Sequence, residues 1–414
     1  MNIPERYRIA LTSLLGNVIE YFGFTLFAIF AQEIGKSFFP QLDSFSQFIS
    51  AFLVFGTGFL SRPLGAIFFG HFGDKIGRKK SLSYTILGMS IVTFLIAVLP
   101  GYQTLGISAP ILLLILRLFQ GFFVGGEGPG AALYMLEHSK IGNKGQVGGI
   151  IIASIITGSF FATLVGILIN KLEIQASFSW RIPFLVASLV GIIGLYLRFS
   201  LPETKDFIEV QKQKKILKIP IVKVLQSYWR EMLLVASLGG VTTAISYIMM
   251  AYLTPYLETQ LGISHVSAMQ YSLYTIFLFI VFLVVLGNVS NRFDLRSFII
   301  TFNYLAVFLL IPVFIAINSE NKVSFILGFF ILPILGAGMC APAYPYAIKK
   351  FVAEVRYSGV GVGYTIGIAV FGGFAPVICS YLMRVTKLNY SPALYIMGLA
   401  ILYLALEHIL GNAD

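Results

Sequence analysis

Long apolar runs recur from one end of the chain to the other, and short polar segments separate them. Each run holds about twenty residues, the length that an α-helix needs to cross the hydrocarbon core of a bilayer. The runs are continuous and do not alternate between apolar and polar residues, which excludes membrane-spanning β-strands. The pattern predicts an all-α membrane protein with twelve transmembrane helices, at 9–31, 47–70, 81–99, 108–134, 147–169, 180–200, 231–257, 266–288, 297–317, 323–348, 358–383 and 392–410.

The longest polar stretch falls near the middle of the chain. It predicts an N-terminal six-helix bundle at 1–200, a cytoplasmic linker at 201–230 and a C-terminal six-helix bundle at 231–414. The polar stretch 287–296 is a degenerate copy of 70–80, displaced by about half the chain, with Asn291 in the place of Asp74. We therefore expect two pseudo-symmetric bundles, an arrangement in which transporters bind substrate at the interface between repeats.

Composition agrees with a membrane protein and gives its orientation. Only 11% of the residues are charged and 57% are hydrophobic, whereas a soluble chain carries roughly a quarter charged residues. The net charge of +11 comes from short basic clusters between the apolar runs, so it does not indicate nucleic acid. Lys and Arg concentrate at the N-terminus and in the loops after even-numbered helices, which predicts a multi-pass protein of the bilayer with both termini cytoplasmic.

Four ionisable residues lie deep in the predicted spans: Glu20, Arg62, Arg117 and Glu127. Charge in hydrocarbon is costly, so each of them is a functional candidate. All four belong to the N-terminal half, and the acids of the other half lie near span ends. We therefore expect any proton chemistry in the N-terminal half.

Helical spacing groups these residues on two faces. Gly16, Asn17, Glu20 and Phe24 share one face of the first span, which should point into the protein. Arg117, Gln120 and Glu127 share one side of the fourth span, with Arg117 and Glu127 roughly 15 Å apart along the axis. They are too distant to pair, so Glu20 is the expected partner of Arg117.

The Glu20–Arg117 pair has two interpretations, namely substrate anchoring with proton coupling, or a buried structural ion pair. For Glu127, among the glycines of 125–130, structural and functional roles stay open. Arg62, next to Pro63, is expected to extend towards the cytoplasmic surface in a structural role.

Aromatic residues give a further candidate site. Tyr247, Tyr252, Tyr344 and Tyr346 lie among small residues and prolines, where helices can open. Their rings can enclose a quaternary ammonium by cation–π attraction, or simply pack.

An enzyme is not expected. The chain has no nucleotide-binding loop, no nucleophile motif and no His or Cys cluster with metal spacing, so we expect no cofactor and no metal. Cys340 and Cys379 fall inside predicted spans and are interpreted as packing residues.

The stretch G-x-x-G-D-K-x-G-R-K-K after the second span resembles a signature of the major facilitator superfamily. More narrowly, the chain resembles the metabolite:proton symporter family, and within it the bacterial proline/betaine proton symporters. The runs that match the narrower family are 16–22, 62–65, 117–122 with 125–127, 180–184 and 355–359, and 201–204 is similar to a further signature of the superfamily.

The resemblance implies a monomeric, proton-linked symporter in the bacterial inner membrane that works by alternating access. It implies a gating motif in which Asp74 docks at the start of the eleventh span, near Ser358 and Gly359. The motif residues are Gly70, Gly73, Asp74, Lys75, Gly77 and Arg78; Gly73 and Gly77 are expected to form its tight turn. The implied partners are protons and a small compatible solute such as proline or glycine betaine.

Two departures and two alternatives accompany this interpretation. Gly23 stands where the family has an aspartate, so Glu20 must carry the proton alone or coupling is altered. The chain ends at Asp414 without the C-terminal coiled coil of osmosensing members, so we expect no osmotic regulation by that route.

The substrate is alternatively a carboxylic acid (2-oxoglutarate, citrate or shikimate), or the protein is a transport-inactive membrane sensor.

Overall fold

The computed structural model describes residues 5–138, 143–171, 176–199, 202–213 and 217–411. Nearly all of these residues are helical, and no β-strand occurs within these ranges. Residues 201 and 214–216 of the predicted linker lie outside them.

The chain folds into two compact units. The first comprises Met1–Met135 and Ser154–Lys218, and the second comprises Leu136–Ala153 and Ile219–Asp414. The predicted domain boundaries, with a linker at 201–230, stay a prediction.

Six long helices, α1 to α6, occupy the first half of the chain, and α2 is interrupted at Ser61. Their bounds are Glu5–Ile29 (α1), Ser44–Leu60 followed by Arg62–Ile76 (α2), Arg78–Val98 (α3), Ser108–Glu137 (α4), Lys144–Lys171 (α5) and Arg181–Phe199 (α6). Four short helices accompany them, at Ala31–Phe38, Tyr102–Leu105, Ala176–Ser179 and Lys205–Lys212.

The second half contains α7 to α12, and three of these helices are built from consecutive segments. The bounds are Trp229–Tyr247 continuing through Ile248–Tyr252 to Leu261 (α7), His265–Ser290 (α8), Leu295–Ile317 (α9), Lys322–Cys340 and Ala343–Lys349 (α10), Arg356–Gly367 continuing through Ile368–Gly372 to Ala375–Thr386 (α11), and Ser391–Leu410 (α12). The short helix Pro220–Ser227 precedes α7. Ile248–Tyr252 and Ile368–Gly372 are π-helical, a geometry that often marks functional sites.

Every predicted span corresponds to one of these helices. In the described residues, eleven helices are long and apolar enough to cross a membrane, and Arg181–Tyr196 of α6 is a shorter apolar helix in the sixth place. The ends differ from the prediction by several residues, because polar residues of the loops extend many helices by a turn.

Glycines bring α4 against α2 in the first unit. A Cβ on Gly121 would collide with the main-chain oxygen of Gly58, and one on Gly125 would collide with the main-chain oxygen of Arg62. Small residues at such positions let helix backbones approach closely in a membrane. This contact places the polar residues of α4 beside those of α1 and α2.

The turn after α2 is shorter than predicted. Gly70 and Gly73 are helical, since α2 continues to Ile76, and only Gly77 has a positive φ, at 109°. The expectation that Gly73 helps to form the turn is therefore wrong. A single glycine reverses the chain between α2 and α3, because its ψ of 150° completes a conformation that is essentially restricted to glycine.

Candidate functional site

One face of α1 points into the first unit, as its spacing predicts. Asn17, Glu20 and Phe24 are 0%, 3% and 1% exposed. Asn17 Nδ2 donates a hydrogen bond of 3.0 Å to Ser154 Oγ on α5. This face therefore carries an amide and a carboxylate into the protein interior.

Glu20 is the least satisfied polar group of this face. Both of its carboxylate oxygens are buried, and neither has a hydrogen-bond partner among the described residues. The carboxylate lines a small cavity together with Gly23, Thr93 and Glu127. A buried carboxylate without hydrogen-bond donors is costly to keep charged.

Glu20 does not pair with Arg117, and the predicted ion pair is wrong for this structure. Neither carboxylate oxygen of Glu20 has a hydrogen-bond partner among the described residues, whereas Arg117 Nη1 donates to Gln120 Oε1; Glu20 shares its cavity with Glu127 instead. Spacing along α1 and α4 identified two buried residues of opposite charge, but it does not fix the rotation of either helix about its axis.

The guanidinium of Arg117 lies instead against aromatic rings. It is 4.6 Å from the ring centroid of Phe24 and 4.4 Å from that of Phe27. Its Nη1 donates to Gln120 Oε1, and Gln120 Nε2 donates to Thr93 Oγ1 at 3.0 Å. Arg117 and Gln120 therefore act together, and Thr93 connects them to the cavity of Glu20.

Arg62 is buried, at 1% exposure, and does not extend to the surface as the sequence led us to expect. Its guanidinium lies 4.5 Å from the ring centroids of both Phe24 and Phe59. Cation–π attraction is strongest where the cation is desolvated, which gives the buried charge a favourable setting. Phe24 thus contacts both arginines.

Glu127 forms a buried ion pair that sequence reasoning missed. Arg198 of α6 donates to both of its oxygens, through Nη1 at 2.7 Å and through Nη2. Thr85 Oγ1 also donates to Glu127, and Arg198 Nη1 donates to the Leu82 carbonyl oxygen at 2.8 Å. The available signal was a base inside the predicted span 180–200, which should have been counted with the four intramembrane charges.

The four candidate tyrosines of the second unit are buried, at 3–6% exposure. Tyr252 OH donates to Met383 Sδ at 3.2 Å, and the ring of Tyr344 stacks on that of Tyr364 with a centroid distance of 4.5 Å. Tyr346 lies two residues after Tyr344, so the two rings point to different sides of their helix. The role of these tyrosines as a cavity lining stays a prediction.

A second buried acid was also missed. Glu407, near the end of α12, is 1% exposed. Tyr346 OH donates to its Oε2 at 2.7 Å, and Arg296 Nε donates to its Oε1 at 2.6 Å. Position near a span end therefore does not mean exposure, and the second unit holds a buried charged network of its own.

Several residues of the predicted gating motif contact one another in the first unit. Asp74 and Arg78 form an ion pair of 3.4 Å, and Arg78 Nη1 donates to the Gly73 carbonyl oxygen at 2.9 Å. Glu203 Oε1 accepts from the main-chain N–H of Arg78 at 3.0 Å. Lys75 is exposed, on the last turn of α2.

In the degenerate copy of the motif in the second unit, Asn291 stands in the place of Asp74. Asn291 Oδ1 accepts from the main-chain N–H groups of Gly145 and Gln146, at 2.8 and 3.3 Å. It therefore caps the first turn of α5, where main-chain N–H groups lack helical partners.

No group of three or more His, Cys, Asp or Glu that could hold a metal ion occurs among the residues the structure describes.

Two units of long apolar helices, with ionisable side chains buried inside them, define a polytopic membrane protein. Residues 13–376 match the model of the Major Facilitator Superfamily. The chain belongs to this superfamily, which confirms the all-α fold with twelve transmembrane helices and the resemblance drawn from the sequence.

Curated relatives and solved structures agree. The chain is 35% identical over 402 residues to the proline/betaine transporter of Escherichia coli (strain K12), covering 94% of this chain and 80% of that protein. It is 33% identical over 392 residues to the citrate-proton symporter of Klebsiella pneumoniae, covering 93% and 87%. The fold matches a crystallised proton:xylose symporter, XylE, with a TM-score of 0.78 at 14% identity, covering 99% of this chain and 96% of that one. These relatives are transporters, and the chain is not an enzyme.

Proposed function

We propose that the chain is a proton-coupled symporter of the bacterial inner membrane that imports a small compatible solute, such as proline or glycine betaine, by alternating access. The named relative from Escherichia coli supports this substrate class. The proposed partners are the solute, protons and the bilayer, and the working unit is a monomer.

The isolation of Glu20 carries the proposal. The proton affinity of a buried carboxylate without hydrogen-bond donors depends on how far water reaches it. A conformational change that admits water to its cavity therefore alters that proton affinity. The two protonation states then have different free energies in the two conformations, which a coupled cycle requires. Because Gly23 leaves no second acid beside it in α1, Glu20 is the proton carrier.

The neighbouring residues have supporting roles. Arg117, held by Gln120, anchors the substrate carboxylate when the cavity opens, and Asn17 positions the Glu20 face through its bond to Ser154. Glu127 also lines the cavity, and its pairing with Arg198 compensates its charge, so that Glu20 is the acid left for proton transfer.

The remaining candidates act in the second unit and in the gate. Tyr247, Tyr252 and Tyr344 line the solute path, with Tyr346 behind them against Glu407. The motif around Asp74 controls closure of the gate.

Transport assays in proteoliposomes test the proposal. Glu20→Gln should abolish accumulation driven by a pH gradient, while counterflow of the same solute between equal pools survives. Unchanged uphill uptake in Glu20→Gln would remove this residue from the mechanism. Binding without counterflow in the wild-type protein would support a transport-inactive sensor instead.

A carboxylic acid is the second candidate substrate, because two buried guanidinium groups, of Arg62 and Arg117, share the ring of Phe24. This concentration of positive charge suits a substrate with more than one carboxylate. The citrate-proton symporter among the relatives supports the same candidate. Competition of labelled proline and betaine uptake by citrate, 2-oxoglutarate and shikimate separates the two candidates.

A further inference from the structure

An apolar groove lies on the first unit, away from the buried charges. It runs between the second segment of α2, the middle of α3 and the middle of α4, and its volume is about 580 Å³. Its floor consists of the rings of Phe69, Phe122 and Phe123, with centroids 5.4 to 5.8 Å apart. Gly88 allows this arrangement, because a Cβ there would collide with the ring of Phe123.

The rim of the groove follows two helix stripes. On α2, Phe68 and Phe72 are one turn apart and Lys75 follows on the same face. On α3, the stripe is Lys80, Tyr84, Leu87 and Ile91, with spacings of four, three and four residues. Both stripes therefore run from a lysine at one end into apolar side chains along the groove.

These apolar side chains are far more exposed than a packed helix interface would leave them. Phe68 is 46% exposed, Tyr84 is 53% exposed and Ile91 is 50% exposed. They belong to helices long and apolar enough to cross a membrane, so the surface around the groove faces hydrocarbon. The medium that contacts the groove is thus the acyl-chain layer of the bilayer.

Helical spacing places two lysines next to residues that line the groove, Lys75 beside Ile76 and Lys80 one turn from Tyr84. Lys75 and Lys80 are exposed, and within the described residues neither forms an ion pair or a side-chain hydrogen bond. Lys79, between them in the turn, points elsewhere, since its Nζ donates to the Phe199 carbonyl oxygen at 2.8 Å. The acids of the turn are also engaged, Asp74 with Arg78 and Glu203 with the start of α3.

We propose that this groove is a binding site for an anionic membrane phospholipid, with one acyl chain on the phenylalanine floor and the phosphate between Lys75 and Lys80. Tyr84 lies one turn below Lys80, at the depth where a tyrosine hydroxyl meets the headgroup region. Basic residues beside transmembrane helices recognise anionic headgroups, and apolar grooves accept acyl chains.

The degenerate copy in the second unit lacks this combination. At the same displacement along the chain, Ser297 stands in the place of Lys80 and Thr301 in that of Tyr84. Only the position of Lys75 keeps a base, Arg292. The nearest other base, Arg296, is bonded to Glu407. The site therefore belongs to the first unit, and one lipid per chain is expected.

Native mass spectrometry of the purified protein with added phosphatidylglycerol or phosphatidylcholine, of identical acyl chains, tests the proposal. The wild-type protein should retain one phosphatidylglycerol in preference to phosphatidylcholine. Lys75→Gln/Lys80→Gln should weaken phosphatidylglycerol binding by about 30-fold, because each base near an anionic surface contributes about a factor of five. Lys75→Arg/Lys80→Arg should restore it.

A matched control removes the same charge elsewhere. Lys212→Gln/Lys218→Gln affects two exposed lysines on the same predicted side of the membrane. This variant should bind phosphatidylglycerol like the wild type. Equal loss in both glutamine variants, or equal retention of the two lipids by the wild type, would overturn the proposal.

The acyl-chain half of the site has its own test. Leu87→Trp fills the groove and should reduce retention of both lipids. Retention of phosphatidylglycerol in Leu87→Trp at the wild-type level would show that the lysines act without the groove and would overturn the site as drawn.

Discussion

The carboxylate of Glu203 lies at the first turn of α3, where its Oε1 accepts a hydrogen bond of 3.0 Å from the main-chain N–H of Arg78. Its Oε2 accepts from the N–H of Lys79 at 3.2 Å. Tyr134 OH holds the preceding residue by donating to the Pro202 carbonyl oxygen at 2.5 Å. The chain that follows α6 thus fixes the turn between α2 and α3.

Gly77 in this turn should not tolerate a side chain. Gly77→Ala places a Cβ at a φ of 109° and against the Glu203 carboxylate, so we expect a loss of about 1–3 kcal/mol in stability. Thermal unfolding of the purified protein in detergent measures it. Gly398→Ala is the matched control, because its Cβ meets nothing within 4 Å in helix α12. A Gly77→Ala protein as stable as Gly398→Ala would contradict the role of this turn.

The buried pair of Glu127 and Arg198 should behave as one unit. Glu127→Gln leaves the buried guanidinium of Arg198 without its counter-charge, and Arg198→Met leaves the buried carboxylate of Glu127 without its donors; each should cost about 3–5 kcal/mol. The double variant removes both charges and should be more stable than either single variant. A double-mutant cycle on unfolding free energies measures the coupling, and strict additivity would argue against the pair.

The N-cap of α9 should make stability depend on acid. Ser297 donates its main-chain N–H to Asp294 Oδ2 at 2.9 Å, and this hydrogen bond lowers the pKa of Asp294. Because the folded-state pKa lies below the unfolded value of about 3.9, the contribution is complete above that pH. It disappears as the pH falls through the folded-state pKa.

Asp294→Asn provides the comparison, since asparagine caps a helix equally well but does not titrate in this range. The stability advantage of the wild type over Asp294→Asn should shrink as the pH is lowered from 6 towards 3. Unfolding curves measured across this range test it, and a constant difference would show that Asp294 does not titrate with folding. Asp294→Ala should cost about 1 kcal/mol at neutral pH.

The helices could be predicted from the sequence because bilayer thickness sets their length and the cost of exposed main-chain polar groups sets their type. Burial of the Asn17–Glu20–Phe24 face followed from helical spacing in the same way. These inferences need only properties of one helix at a time.

The partners of the buried charges could not be predicted, because they depend on how each helix is rotated against its neighbours. Glu127 pairs with Arg198, which is distant in sequence, while Arg117 lies on phenylalanine rings that a charge-pairing rule ignores. Glu407 was missed because its place near a span end suggested exposure. The turn glycine was misassigned for a related reason, since a sequence of several glycines does not say which one leaves the helix.

Substrate-induced proton uptake tests the central claim most directly. Proteoliposomes that contain a pH-sensitive dye are given proline, betaine or citrate without an imposed gradient, for the wild type, Glu20→Gln and Glu127→Gln. We expect substrate to carry protons inward through the wild type and not through Glu20→Gln, whose counterflow is intact. Proton movement of wild-type size in Glu20→Gln would contradict the assignment of the proton to this buried acid.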